Sequence, residues 1–378
     1  DWDLRRTSLS EREFRRRYRL SKKSFEKLAA KIYPYVARQP PLTEAAVSCE
    51  LCLSMSLRYL AGGHYIDIAD MHGVAPATFY QLLWLTVEAI NKVETMAVPW
   101  FDEHEGVDSA AARTRRLHDL ARGFNKRHAD VAPGCVGALD GIAIWILKPW
   151  LIFDGCPMTY YNRKGFFALN VRAICDSNYR FLWMSAKARG SSHDSTAWML
   201  SHLAGRFEAE PLPYGFWIAG DEAYRACNWL LTPWSGKNLV TYKDAFNYYQ
   251  SSNRIHIEQA FGIYVRRWGV LHRQLTCNLD RASLVVQVTM KLHNICIDDK
   301  VPAEAFCEGT TGYRDADADR AGFSLPYDQG DCATEARRSG RRDTEQSGLR
   351  LDLTNRLEEN QCRRATQPLR GGFRPYYA

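Results

Sequence analysis

The 378-residue chain is long enough for two compact domains and a tail, and its 46% apolar and 25% charged residues exclude a fibrous or wholly disordered protein. A net charge of +7 favours an anionic partner, and the excess lies in residues 1–300, because the segment from Val301 onward carries 12 Lys and Arg against 13 Asp and Glu. The most apolar stretch, Cys135 to Phe153, is broken by Asp140 and Lys148, so no membrane span is expected; eleven cysteines without a repeated short spacing argue for a reducing, intracellular setting.

Residues 1–125 are expected to form a helical N-terminal domain. Phe14, Tyr18 and Phe25 recur at near-helical intervals and anchor helices, while Arg12, Arg15, Arg16, Arg17, Arg19, Lys22 and Lys23 make a basic face that suits water or phosphate. Ala45 to Ala61 is helical by its apolar spacing, and Gly62-Gly63 stops it. Cys49 and Cys52 lie inside this pattern with no second Cys or His pair at a zinc spacing, which makes them core residues. From about residue 64 to 90 a helix-turn-helix-like unit is expected. Ile66–Met71 is its first helix, Gly73 its turn and Pro76–Val87 its second helix, with Ala69 at the close crossing and Phe79 in the shared core. A DNA-reading unit and a structural helical hairpin both satisfy the pattern; in the first case Thr78, Gln81 and His72 are the side chains for base edges. Polar, basic Arg113–Arg127 reads as a linker.

Residues 126–300 change period. Val136–Leu147, Phe166–Cys175 and Tyr179–Ala186 read as three successive strands, the last two joined by a turn at Asp176-Ser177-Asn178. Asp194 to Leu203 reads as a helix capped by Asp194, Phe216–Ala219 as a short buried strand, and Leu239–Tyr242 as another. Ile255 to Val270 is an amphipathic helix with Ile257, Phe261 and Val265 on one face and Arg266 and Arg267 off it, and Leu284 to Ile297 is a further helix. This order predicts an α/β fold with a mixed sheet and flanking helices. Residues 301–378 are expected to be a mostly disordered tail, except for a short helix on Leu349, Leu353 and Leu357.

Three acids stand in settings where an isolated carboxylate is costly. Asp140 interrupts an apolar strand, Asp221 ends another, and Glu258 sits beside Ile257 on an amphipathic helix. If they converge, they offer hard oxygen ligands for two Mg²⁺ or Mn²⁺ ions and hence phosphodiester chemistry. Taken singly, each also fits a structural role, capping an element or pairing with a base such as Lys148 or Arg225.

The ordered motifs Gly137-Ala138-Leu139-Asp140-Gly141, Tyr161-Asn162-Arg163-Lys164-Gly165, Asn170-Val171, Cys175-Asp176, Gly190-Ser191-Ser192-His193-Asp194-Ser195, Gly220-Asp221-Glu222-Ala223-Tyr224, Ile257-Glu258-Gln259-Ala260-Phe261-Gly262 and Leu292-His293-Asn294 resemble the PIF/Harbinger transposases and their domesticated relatives, which are DDE-type nucleases. The resemblance implies an RNase H-like catalytic domain with Asp140, Asp221 and Glu258 as catalytic metal ligands. Glu222 would face away from Asp221 on a continuing strand, which favours Asp221. The implied activity is strand cleavage at transposon ends and joining of the freed 3′-OH to target DNA; the alternative is a domesticated DNA-binding or protein-interaction factor that does not cut. DNA contacts are expected from Arg163, Lys164, Arg266, Arg267 and Arg273, with Asp176 in a turn and Asp194 at a cap. The resemblance further implies nuclear action, a Myb/SANT-like DNA-binding companion and a homo-oligomer. One departure is Ile142-Ala143 after Asp140-Gly141, where family members often have Thr-His.

Overall fold

The strand predicted around Asp140 is the centre of a five-stranded mixed sheet in the computed structural model, which describes residues 7–37, 47–98, 100, 110–126, 131–150, 156–236, 238–301 and 347–363. The strands are β1 (Cys135–Trp145), β2 (Ala168–Cys175), β3 (Phe181–Arg189), β4 (Trp217–Ala219) and β5 (Leu230–Leu231), in the spatial order β3-β2-β1-β4-β5. β1–β2 and β2–β3 pair antiparallel, whereas β1–β4 and β4–β5 pair parallel. The β2–β3 connection is the predicted turn: Asp176 Oδ1 accepts the backbone N–H groups of Asn178 (2.8 Å) and Arg180 (3.0 Å).

Before the sheet come α1 (Glu11–Tyr18), α2 (Lys22–Val36), α3 (Cys49–Leu60), α4 (Tyr65–His72), α5 (Pro76–Lys92) and α6 (Ala110–Asn125). Ser10 and Glu13 close a reciprocal capping box at the start of α1, whose Phe14 and Tyr18 pack on Phe25 of α2. Cys49 and Cys52 are buried in α3, as their place in the apolar pattern predicts. Helices α4 and α5 meet through a short turn in which Gly73 adopts φ 65°, and Ala69 and Phe79 are both buried. That is the geometry of a helical hairpin, common to both readings of the segment.

The region read as a linker is the helix α6. Among its arginines, Leu117, Leu120, Ala121 and Phe124 recur at helical spacing and are buried, and α6 packs on β1. Their wide spacing among charges made the stripe look polar.

After the sheet's first hairpin come α7 (Asp194–Met199), α8 (His202–Ala209), α9 (Thr241–Arg267), α10 (Leu279–Asp298) and α11 (Gly348–Glu359). The single helix expected over Asp194–Leu203 is broken at Leu200, because Ser201 caps a new helix by accepting the Ala204 amide at 3.2 Å. The strand expected at Leu239–Tyr242 does not form, since α9 starts at Thr241. One sheet face, with Ala138, Ile142, Ile144, Val171 and Ala173, shares an apolar cluster with α1–α5, α9 and α10. The opposite side, with Val136, Leu139 and Ile218, packs with α6, α7 and α8. No described helix is long and apolar enough to cross a membrane.

Candidate active site

Parallel pairing of β1 with β4 aligns Ala138 with Ala219. Asp140 stands two residues beyond Ala138 on β1 and Asp221 two residues beyond Ala219, just past the end of β4, near enough for its charge to act on Asp140. Asp140 also shares the parity of Ala138, Ile142 and Ile144, which belong to the cluster containing Ile257, Ala260 and Phe261 of α9. It therefore faces the helix that carries the third acid.

On α9, Gln250, Arg254 and Glu258 follow one another at four-residue steps and form one stripe. Gln250 is buried and donates from Nε2 to the carbonyls of Gly220 (2.6 Å) and Leu231 (2.9 Å), fastening the ends of β4 and β5 to the helix directly before Asp221. Arg254 Nη1 lies 3.4 Å from Asp140 Oδ2 and is also paired with Glu258. The side chains of Asp140, Arg254 and Glu258 are 21%, 23% and 19% exposed, so the cluster opens to solvent. Glu222 is exposed on the turn after β4, where its N–H donates to Asp221 Oδ1 at 2.7 Å.

Burial pushes the Asp140 carboxyl up to about 7; Arg254, the Gly141 amide at 2.7 Å and Arg172 pull it down, and Asp221 adds a push upward. Burial works against the Arg254 charge, but Glu258, Asp140 and Asp221 outweigh it and hold its pKa above the ordinary guanidinium value. Among the described residues, no three or more His, Cys, Asp or Glu side chains are drawn together as a metal-holding group. The donor chemistry of Asp140, Asp221 and Glu258 still fits a hard divalent cation, being carboxylate oxygen throughout. Between Asp140 and Glu258 lies the Arg254 guanidinium.

Behind Asp140 runs a second arginine. Arg172 of β2 pairs across the ladder with Gly141, and a Cβ at Gly141 would come within 2.1 Å of Arg172 Nη1, so the side chain lies where only glycine leaves room. Arg172 is 1% exposed, donates to the Tyr224 hydroxyl at 2.7 Å and forms an ion pair with Asp194. Asn170 Nδ2 donates to the Ser192 carbonyl at 3.0 Å. Asp194 is thus the first residue of α7 and not its cap, which is His193; its carboxylate serves Arg172.

The residues expected at DNA divide into three groups. Arg163 and Lys164 are exposed on a turn shaped by Asn162, whose Oδ1 accepts the Lys164 and Phe166 amides at 2.9 and 3.2 Å. Gln81 is exposed on α5, with Thr78 and His72 half-buried nearby in the chain, and Arg266 is half-buried on α9. Arg267 and Arg273 point elsewhere. Arg267 is 1% exposed and donates to the Val301 carbonyl at 3.1 Å, so it is a core group and not part of a phosphate-facing surface. Arg273 donates to the Gly63 carbonyl at 3.3 Å and lies over the Tyr59 ring, tying the end of α9 to the N-terminal helices.

Sequence reading missed Gln250, Arg254, Arg172 and Tyr224. The four-residue spacing of Gln250, Arg254 and Glu258 was an available signal; the Arg172–Gly141 contact was not, because it depends on strand register.

Residues 139–294 match the family model described as DDE superfamily endonuclease, and that span contains all three carboxylates. The resemblance read from the motifs is borne out by individual relatives as well. The chain is 25% identical over 265 residues to HARBI1 of Mus musculus, a candidate nuclease by its name, covering 69% of this chain and 70% of that protein. It is 22% identical over 299 residues to Protein ALP1-like of Arabidopsis thaliana, covering 74% and 70%. A second Arabidopsis thaliana protein, named antagonist of like heterochromatin protein 1, is 23% identical over 310 residues, covering 75% and 73%. No solved structure gives a significant match.

Proposed function

We propose that the protein is a metal-dependent DNA endonuclease of the transposase type, cutting phosphodiester bonds at transposon ends and joining the freed 3′-OH to target DNA. The observation that supports this reading is the β1–β4 register, Ala138 opposite Ala219, with Asp140 and Asp221 each two residues further along the chain and Asp140 paired, through Arg254, with the helix of Glu258. The strand order β3-β2-β1-β4-β5 supports an RNase H-like catalytic domain over residues 126–300. Asp140, Asp221 and Glu258 would hold two Mg²⁺ or Mn²⁺ ions, which supply Lewis-acid stabilisation of charge developing on the phosphate. Arg163 and Lys164, with the accessible part of Arg266, bind the backbone of the duplex. Arg172 and Gln250 position the two strands that carry the aspartates. The test is nicking of supercoiled plasmid with Mg²⁺ or Mn²⁺ but not with Ca²⁺ or EDTA; a wild-type protein that nicks equally in EDTA, or an Asp221→Asn variant that nicks at the wild-type rate, overturns the assignment.

A second reading, a domesticated factor that binds DNA or protein without cutting, is favoured by Ile142-Ala143 after Asp140-Gly141 and by the guanidinium lying between two of the three acids. Specific binding to DNA with no nicking in either metal selects it. We further propose nuclear action, self-association, and sequence choice by a Myb/SANT-like companion, since the α4–α5 hairpin offers few side chains for base edges, Thr78, Gln81 and His72 being the best of them. Tight, sequence-specific binding to transposon ends by this chain alone, at physiological salt, speaks against the companion.

A further inference from the structure

We infer that Arg254 is the resident counter-ion of the carboxylate cluster, and that a divalent cation enters by displacing its guanidinium from Asp140 and Glu258. The inference rests on reading Asp140, Asp221 and Glu258 as the cation-holding set. Asp140 of β1 and Glu258 of α9 both reach the same guanidinium, and Asp221, just past β4, adds its negative charge to the field on Asp140 and Arg254, so the acids gather around one cation. That cation is Arg254, paired with Asp140 at 3.4 Å and with Glu258 on its own helix. A metal ion and the guanidinium seek the same carboxylate oxygens, so they compete.

Only one of the two arginines near Asp140 is able to leave. Arg172 is 1% exposed, bonded to Tyr224 and Asp194, and boxed in by Gly141, so it stays. Arg254 is 23% exposed, its guanidinium is at the end of a long flexible side chain, and its helix is held independently by Gln250. It is able to swing toward solvent without disturbing the strands. Exchanging one guanidinium for a divalent ion also raises the local positive charge by one, which three carboxylates favour. A merely structural clamp makes the opposite prediction: removing it would loosen the cluster and weaken metal binding.

The experiment is titration of the full chain with Mn²⁺ alone, without DNA, by calorimetry and by the electron paramagnetic resonance signal of free Mn²⁺. Arg254→Gln should bind Mn²⁺ about tenfold tighter than wild type, the change expected if one favourable contact of about 1.4 kcal/mol no longer competes. Its metal-free melting temperature should fall while the rise caused by Mn²⁺ grows. Should Arg254→Gln fail to fold without metal, Arg254→Lys keeps the charge but loses the planar fork, and its affinity should exceed that of wild type by a smaller factor. Equal or weaker Mn²⁺ binding in the folded Arg254 variants overturns the inference. Asp140→Asn separates the two levels: if it binds Mn²⁺ like wild type, the cation-holding reading itself fails; if it loses Mn²⁺ while the Arg254 variants gain nothing, only the counter-ion role falls.

Discussion

Asp140 holds its charge at a cost that depends on pH. Its folded pKa of about 7 lies above the unfolded value, so between the two the native state binds more protons than the unfolded chain. Stability therefore falls as pH rises through that window and levels off above it, each unit of difference costing about 1.4 kcal/mol. Asp140→Asn removes the dependence: relative to wild type it should gain most stability at pH 8 and least near pH 4, in denaturant melts without metal, and a pH-independent difference would assign the effect to packing alone. Beside it, Gly141→Ala drives a methyl into the buried Arg172 guanidinium, an overpacking worth about 1–3 kcal/mol, and nicking should fall with it. The three acids were legible in the sequence because each interrupts an apolar pattern. Arg267 was misread for a related reason: it counts off the apolar face of its helix, but its partners, the carbonyls of Val301 and His293, come from the next helix and its end. Arg267→Ala should thus destabilise the fold and leave the salt dependence of DNA binding unchanged. Lys164→Ala should do the reverse, flattening the slope of log affinity against log salt by about 0.9.

Among elements, those with a strong local period were readable, and those defined by partners were not. β1, β2, β3 and the later half of α9 appear close to where apolar spacing put them. The first half of α9 has its buried residues Ala245, Phe246, Tyr249, Gln250 and Asn253 mixed between apolar and polar types, so no single stripe announces a helix there. That half nevertheless does much to hold the site, through Gln250. Gln250→Ala takes its donor from the Gly220 carbonyl and leaves the Leu231 carbonyl with the Gly220 N–H at 3.0 Å, a loss of about 1–3 kcal/mol. Because those carbonyls flank the strand end that presents Asp221, nicking should drop by more than the unfolded fraction accounts for. Activity per folded molecule equal to wild type would reduce Gln250 to a stabilising contact.

Across the whole molecule, the chain order of β1, β2, β3 and β4 was visible and their order in space was not, since β4 reaches β1 only after α7 and α8 have intervened. The same holds for α11. Leucine spacing marked its existence, but its landing place depends on side chains scattered through the chain. Leu349, Leu353 and Leu357 join Trp217, Ala219, Phe246 and Tyr249 in one apolar cluster, and buried Arg350 stacks on Trp234 at 3.9 Å while donating to the Pro233 carbonyl at 3.3 Å. Trp234 Nε1 completes the joint by donating to Thr354 Oγ1 at 3.0 Å. The helix thereby braces the first half of α9, the same half that Gln250 uses to hold β4 and β5. Leu353→Ala should cost about 2–5 kcal/mol if α11 unfolds together with the sheet, and almost nothing if it detaches first. Denaturant unfolding followed by circular dichroism and by tryptophan fluorescence decides between these: coincident transitions, both shifted by the substitution, place α11 inside the cooperative unit. Combining Leu353→Ala with Gln250→Ala adds a stricter check, because both act on one stretch of α9 and their costs should depart from additivity by 0.5 kcal/mol or more, roughly the lower limit for residues coupled through a shared element. Simple additivity would mean that α11 covers the sheet edge without bracing the helix that carries Arg254 and Glu258.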